Sequence, residues 1–179
     1  MFHADTHLLI DHWTRLSRRP GVVADVPDRN SFHPDALGLR LPRLFMAEVA
    51  ADGCSLRTTG SWIESFHGTS LSRRPLTTLW RDSSQAMVTA AVTQSVREAR
   101  PVVIKAAIGL SGDLIEVTLA PLRSASGLID RIVGLYAPLS TLAFGDGDSR
   151  LLSGRICIGV GHSGRAPLSL AAVDGRRIA

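Results

Sequence analysis

The block between residues 82 and 139 constrains the fold most, because one helix pattern is followed there by three strand patterns. Apolar side chains recur at three- and four-residue spacing from Asp82 to about Arg100, which is typical of a helix with one packed face. Pro101 stops this helix. The three strand patterns run over 102–110, 114–122 and 129–139. Because short turns join them, we expect an antiparallel meander.

The residues upstream add a hairpin and a helix. Asp52-Gly53 is a hairpin signal between the strand patterns 44–49 and 54–59, and a short helical stretch follows from Ser61 to the Gly68 cap. Residues 6–19 show the spacing of an amphipathic helix that Thr6 can cap. The order predicts an α+β fold, with a five-stranded antiparallel sheet, helices on one face and an N-terminal amphipathic helix.

Length indicates a single folded domain with extensions, since 179 residues fall within the usual range for one domain. We expect an N-terminal helix and connector over 1–37 and the sheet-containing domain over 38–142. Glycine and arginine are frequent in the remaining tail, 143–179, which holds two short apolar patches. These patches fit either extra edge strands or loosely ordered segments.

Charge and hydropathy narrow the possible partners. The chain has 20 basic and 16 acidic residues, a net charge of +4, and its arginines form separate pairs and triplets without aromatic side chains among them. A solvated surface is therefore preferred, and nucleic-acid binding is kept as an alternative. No segment reaches the roughly 18 apolar residues that span a bilayer. The N-terminus does not resemble a secretory signal, so we expect a cytoplasmic location and no membrane partner.

Three motifs suggest chemistry only weakly. Residues 159–164 fit G-x-G-x-x-G, but Pro167 interrupts the helix that should follow, so we expect a loop rather than a dinucleotide site. His3 and His7 could share a helix face and bind a metal, although solvated side chains at a frayed terminus are preferred. The serine of Gly161-His162-Ser163-Gly164 does not fit a nucleophile elbow, and we do not predict an enzyme.

Several segments together carry a family resemblance. The stretch 41–49, the block 112–123 with its Pro-Leu-Arg, and the block 130–134, Asp-Arg-Ile-Val-Gly, resemble a bacterial PAS subfamily formerly classed as a domain of unknown function. Trp13 lies in an N-terminal helix where that subfamily also has a tryptophan. The resemblance covers roughly residues 8–142. The sequence departs from it at Ser72-Arg73, where a glycine is expected after the leucine.

The resemblance implies signalling. PAS domains bind small ligands between sheet and helices or bind partner proteins through the sheet, and many form homodimers through an N-terminal helix. No haem- or flavin-type signature is found, because the helix over 83–99 lacks histidine and neither Cys54 nor Cys157 lies in the short-helix stretch. Haem binding through His67 stays an alternative, and the cofactor is left open.

Two groups of candidate residues follow from this resemblance. The ligand-pocket candidates lie on the helical side or on facing strands: Arg57, Trp62, Phe66, Trp80, Met87 and Glu116. Arg57 and Glu116 are expected either to pair across the sheet in the pocket or to form a surface pair. The interaction-face candidates lie on the N-terminal helix: Leu9, Trp13 and Leu16.

These features predict a signalling or regulatory single-domain PAS protein without an output domain of its own. It is expected to sense a small ligand, to bind a partner protein, or to do both. Two alternatives remain open: a small-ligand carrier or enzyme that uses the same cavity, and an arginine-rich protein that binds nucleic acid.

Overall fold

The computed structural model describes residues 1–18, 26–109, 112–140 and 150–161. Its three helices are α1 (Ala4–Ser17), α2 (Ser61–His67) and α3 (Asp82–Glu98). The strands are β1 (Leu44–Ala50), β2 (Gly53–Thr59), β3 (Val102–Ile108), β4 (Leu114–Arg123), β5 (Ile129–Pro138) and β6 (Leu152–Gly159). Short 3-10 helical segments cover Arg29–Ser31, Pro34–Arg43 and Leu76–Leu79.

The strands form one antiparallel sheet in the order β2-β1-β5-β4-β3-β6. The predicted α+β class is confirmed, but the predicted count of five strands is wrong because β6 adds a sixth. β6 pairs along the whole of β3, from Val102 opposite Gly159 to Ile108 opposite Leu152. The predicted division into three segments is not tested by this pairing and stays a prediction.

One face of the sheet, called here the inner face, packs against α2, the 76–79 segment and α3. Ile115, Val117 and Leu119 of β4 point to this face and are fully buried. Ala120 and Leu122 of the same strand join a second cluster on the opposite face. The alternation of β4 seen in the sequence therefore separates two cores rather than a core and solvent.

The opposite face, called the outer face, is covered by α1. The expectation of helices on one face is therefore incomplete, because the N-terminal helix covers the other. The helix begins at Ala4, where the His3 side chain accepts a hydrogen bond from the backbone N–H of Asp5. The predicted cap, Thr6, is wrong because its hydroxyl donates instead to Glu116.

Two helix ends show how the chain turns. Gly68 ends α2 in the left-handed conformation, as its position in the sequence predicts. At the end of α3 the same conformation is adopted by Ala99, and in the loop before the 76–79 segment it is adopted by Arg73. Both are residues for which a positive φ is unfavourable. Arg73 lies at the departure from the PAS pattern noted in the sequence.

Candidate functional site

A cleft of about 500 Å³ opens between α3, the β1–β2 turn and the 76–79 segment. Its floor is formed by apolar side chains and one thiol: Val49, Cys54, Leu76, Val88, Val92 and Val96. Its polar wall consists of hydroxyl groups: Ser55, Thr77, Thr89 and Thr93. A small cavity that is mostly apolar and has few polar groups is the usual form of a small-molecule site.

Two charged residues line the cleft, Asp52 in the β1–β2 turn and Arg97 in the last turn of α3. Both side chains are exposed. The Arg97 guanidinium makes no ion pair or hydrogen bond in the part of the chain that the structure describes. It is therefore available to a group that enters the cleft.

Cys54 contributes a thiol to the floor of the cleft. Burial raises the pKa of this thiol to about 11, so it is protonated at neutral pH. A protonated thiol is a poor nucleophile and a poor metal ligand. Cys54 therefore acts as part of the apolar surface.

A cluster of aromatic rings fills the inner face beside α2. Trp62 stacks on Phe66 with ring centres 5.2 Å apart, and Tyr136 meets Phe66 edge-on at 6.2 Å. The Nε2 atom of His67 lies 3.2 Å from the Tyr136 hydroxyl. Burial lowers the pKa of His67 to about 4 and raises the pKa of Tyr136, so both groups are neutral at pH 7. The structure thus brings the candidates Trp62 and Phe66 together, but in this cluster rather than in the cleft lining.

Trp80 and Met87 lie towards β6. Trp80 is buried in the inner core, and its backbone forms a bridge with Leu152 at the start of β6. Its indole Nε1 has no hydrogen-bond partner among the described residues. Met87 packs over Gly154 of the same strand. Neither side chain lines the cleft, and their predicted role in a pocket stays a prediction.

The predicted pairing of Arg57 with Glu116 is wrong. The two residues lie on β2 and β4, which are separated by β1 and β5. Arg57 is exposed and pairs with Glu48 at 3.0 Å. Glu116 is fully buried on the outer face, where Lys105 lies 3.3 Å from one carboxylate oxygen.

The interaction-face candidates of α1 lie against the chain's own sheet. Leu9 is fully buried and Trp13 is nearly so, while Leu16 packs against the same cluster. The indole N–H of Trp13 donates to the carbonyl oxygen of Pro121 over 2.7 Å. In this structure their apolar surfaces are used within the monomer, and contact with another chain stays a prediction.

The residues of the cleft were not among the predicted site residues. Val88, Val92 and Val96 recur at four-residue spacing on α3, and Thr89, Thr93 and Arg97 repeat the spacing one position later. This double stripe is a signal that could have indicated a helix face with an apolar and a polar side. The contribution of the β1–β2 turn had no such signal, because it depends on tertiary packing.

The structure also bears on the weaker motifs. Within the described ranges no group of three or more His, Cys, Asp or Glu side chains could hold a metal, and no helix has the length and hydropathy to cross a bilayer. His3 uses its Nδ1 atom to cap α1 rather than standing free. The G-x-G-x-x-G motif begins at the end of β6, but its positions 162–164 and Pro167 lie outside the described residues.

Comparison with known proteins places the chain in a family. A family model described as a PAS domain matches residues 1–137, and no curated protein matches. Among solved structures, the light state of the blue-light photoreceptor Aureochrome1 LOV is similar, with 15% identity over 60% of this chain and 88% of that chain and a TM-score of 0.44. A Rhodobacter sphaeroides LOV protein is similar at 11% identity, over 78% of this chain and 70% of that chain, also with a TM-score of 0.44. Since the family model spans α1 and the sheet into β5, the resemblance found in the sequence is confirmed and the chain belongs to the PAS domain family.

Proposed function

We propose that this PAS domain senses a small ligand in the cleft beside α3 and passes its occupancy to a partner protein in a signalling pathway. The observation that supports this proposal is the cleft itself, which has an apolar floor, a hydroxyl-lined wall and about 500 Å³ of space. Pockets of a few hundred Å³ suit small-molecule ligands. We propose a cytoplasmic location for this activity, with no membrane partner.

The position of the cleft favours sensing over simple storage. Its walls belong to α3 and to the β1–β2 hairpin, which also pack on the inner core through Val88 of α3 and through Val49 and Cys54 beside the turn. A ligand that prefers one spacing of these walls shifts the population of that arrangement. The change would then reach the sheet through α3, whose Ser84 hydroxyl accepts a hydrogen bond from Gly154 of β6 over 3.0 Å.

The chemistry of the cleft fits a non-catalytic role better than that of an enzyme that converts its bound ligand. The thiol in the floor is protonated. The hydroxyls of Thr89 and Thr93 donate to backbone carbonyls one turn earlier, at 3.1 and 2.9 Å. Neither group is therefore prepared as a nucleophile.

The test uses Nile red, a neutral apolar dye whose fluorescence rises on leaving water. We expect the protein to bind it at one site and Thr93→Trp, which fills the cleft from its exposed wall, to abolish binding. Ala90→Trp is the matched control, because Ala90 is exposed on the same helix but does not line the cleft. Equal dye binding by the two variants would contradict the proposed site.

A further inference from the structure

We propose that the cleft selects an anionic amphipathic ligand, an apolar chain that ends in a carboxylate, and that Arg97 binds the carboxylate. The inference rests on the proposed function, because it assigns a ligand class to the same cleft.

The cleft runs along α3, with valines at positions 88, 92 and 96 on its floor and Arg97 in the last turn of the helix. Val88 and Val92 are buried. The helix rises about 13 Å between positions 88 and 97, at 1.5 Å per residue. This length matches an extended medium-chain acyl group, with its tail over the valines and its head at Arg97.

Two of the four wall hydroxyls are already used, whereas those of Ser55 and Thr77 make no hydrogen bond among the described residues. Thr89 and Thr93 already donate their hydroxyl protons within α3. A neutral hydroxyl donates a single hydrogen bond, so it complements a carboxylate less fully than a guanidinium does. Arg97 has no partner among the described residues, and its guanidinium carries five N–H donors in a planar fork. A carboxylate accepts two of these donors side by side, which makes it the natural complement of an unpaired arginine.

Arg97 makes no ion pair or hydrogen bond among the described residues, although the hydrogen bond from Arg100 and, to a smaller extent, the charge of Arg97 lower the pKa of the neighbouring Glu98. Glu98 is next in sequence, but its carboxylate accepts hydrogen bonds from Arg100 over 2.6 Å and from Gln94 over 3.2 Å. The one acidic residue that lines the cleft is Asp52, in the exposed turn.

The helix dipole makes the binding of a carboxylate depend more strongly on Arg97. The C-terminal end of α3 carries partial negative charge, which would repel a carboxylate placed there. The guanidinium reverses this local potential. Its removal should therefore weaken binding of the acid far more than binding of an uncharged analogue.

The experiment measures displacement of Nile red at pH 7 by decanoate and by decanol, which share a ten-carbon chain. We expect decanoate to displace the dye at about a tenfold lower concentration than decanol. In Arg97→Gln this preference should disappear, while displacement by decanol is unchanged. Arg155→Gln is the matched control, because Arg155 is an exposed arginine on β6, at the other edge of the sheet.

Equal displacement by the two probes in the unmodified protein would overturn the anion assignment and leave the cleft as a site for neutral ligands. Unchanged decanoate displacement in Arg97→Gln would overturn the role of Arg97. Dye binding that Thr93→Trp does not affect would instead overturn the proposed function on which the inference rests.

A second measurement locates the acid without the dye. In a Cys157→Ser background, Cys54 is the remaining thiol, and it lies in the floor of the cleft. Because the Cys54 thiol is protonated at neutral pH, its alkylation by N-ethylmaleimide is followed at pH 9, where decanoate should slow the reaction and Arg97→Gln should remove this protection. Alkylation at the same rate with and without saturating decanoate would place the acid elsewhere and overturn the proposal.

Discussion

The inner face of the sheet is covered by α2, α3 and the 76–79 segment through largely apolar contacts, whereas the outer face is covered by α1 through both apolar and buried charged contacts. On the inner face the packing leaves a cleft. On the outer face two carboxylates fix the first turn of the covering helix. One sheet can therefore carry a face whose cover leaves an open cleft and a face whose cover is set by a few polar contacts.

The two carboxylates of the outer face are Glu116 and Asp5. Glu116 accepts hydrogen bonds from the backbone N–H of His3 over 2.9 Å and from the Thr6 hydroxyl over 2.7 Å. Asp5 is nearly buried and pairs with Arg40 at 2.9 Å and Arg43 at 3.3 Å. Buried charges are tolerated only when their partners stay in place, so this cover should be sensitive to single substitutions.

The largest expected effect is on the outer face. Glu116→Leu removes the acceptor for two groups of α1 and the partner of Lys105, and should lower the free energy of unfolding by about 4 kcal/mol. Urea denaturation measures this change. Hydrogen exchange should show that the amides of α1 exchange faster while those of α3 do not.

The control for this prediction is Glu48→Leu on β1. Glu48 also joins two arginines, Arg57 at 3.0 Å and Arg131 at 3.1 Å, but its side chain is 34% exposed. An exposed pair contributes at most about 1 kcal/mol. Similar losses of unfolding free energy in the two variants would show that burial does not make the contacts of Glu116 more stabilising than those of Glu48.

The next effect concerns the inner face and pH. Burial lowers the pKa of His67 from its ordinary value of 6.5 to about 4. Above pH 6.5 the residue is neutral in the folded and unfolded states. Between pH 6.5 and about 4 only the unfolded state takes up the proton, so stability falls as the pH falls. In His67→Gln the free energy of unfolding should therefore fall by about 2 to 3 kcal/mol less over this pH range than in the unmodified protein.

Unfolding in urea between pH 7 and 4 measures the effect. His12→Gln is the control, because His12 lies on α1 and burial also lowers its pKa, but the residue is only partly buried. We expect the His12 variant to keep most of the acid sensitivity of the unmodified protein. Parallel curves for the unmodified protein and His67→Gln would show that acid sensitivity arises outside the inner face.

The sequence predicted those parts of the fold that depend on local patterns. The alternation of β4, the hairpin at Asp52-Gly53 and the end of α2 at Gly68 each follow from residues close together in the chain. The Asp-Arg-Ile-Val-Gly block also has a physical basis in the structure. A Cβ atom at Gly134 would collide with the ring of Phe45 on the neighbouring strand, so only glycine fits.

Parts that depend on tertiary packing were not predictable. The alternation of β4 predicts that Glu116 and Ile115 face opposite ways, but it does not predict that α1 covers the face of Glu116. The apolar patch at 156–158 fitted either an edge strand or a loosely ordered segment, and β6 extends it over 153–155, which has no strand pattern, because β3 offers an unpaired edge. The cleft likewise arises where α3 and a hairpin turn meet, which no single segment specifies.

The smallest effects concern two non-glycine residues with left-handed backbone, Arg73 beside the edge strand β2 and Ala99 beside the outer-face cluster. Arg73 has φ +62° in the loop that pairs with β2, where its N–H donates to the Leu56 carbonyl over 2.8 Å. Its side chain is exposed. Arg73→Gly should relieve about 1 to 2 kcal/mol of backbone strain. The greater freedom of glycine in the unfolded chain offsets about 0.4 to 1 kcal/mol of this gain, so the free energy of unfolding should rise by about 1 kcal/mol.

Ala99 has φ +54° at the end of α3, but its side chain packs against the outer-face cluster. Ala99→Gly should gain the same net amount, about 1 kcal/mol, from relieved strain less the freedom of the unfolded chain, and should lose about 0.8 kcal/mol of methyl burial, so its stability should barely change. Urea titration of both variants measures the two changes. A larger gain at Ala99 than at Arg73 would mean that the methyl group contributes little to the outer face, and that α1 is fixed mainly by the polar contacts of Glu116 and Asp5.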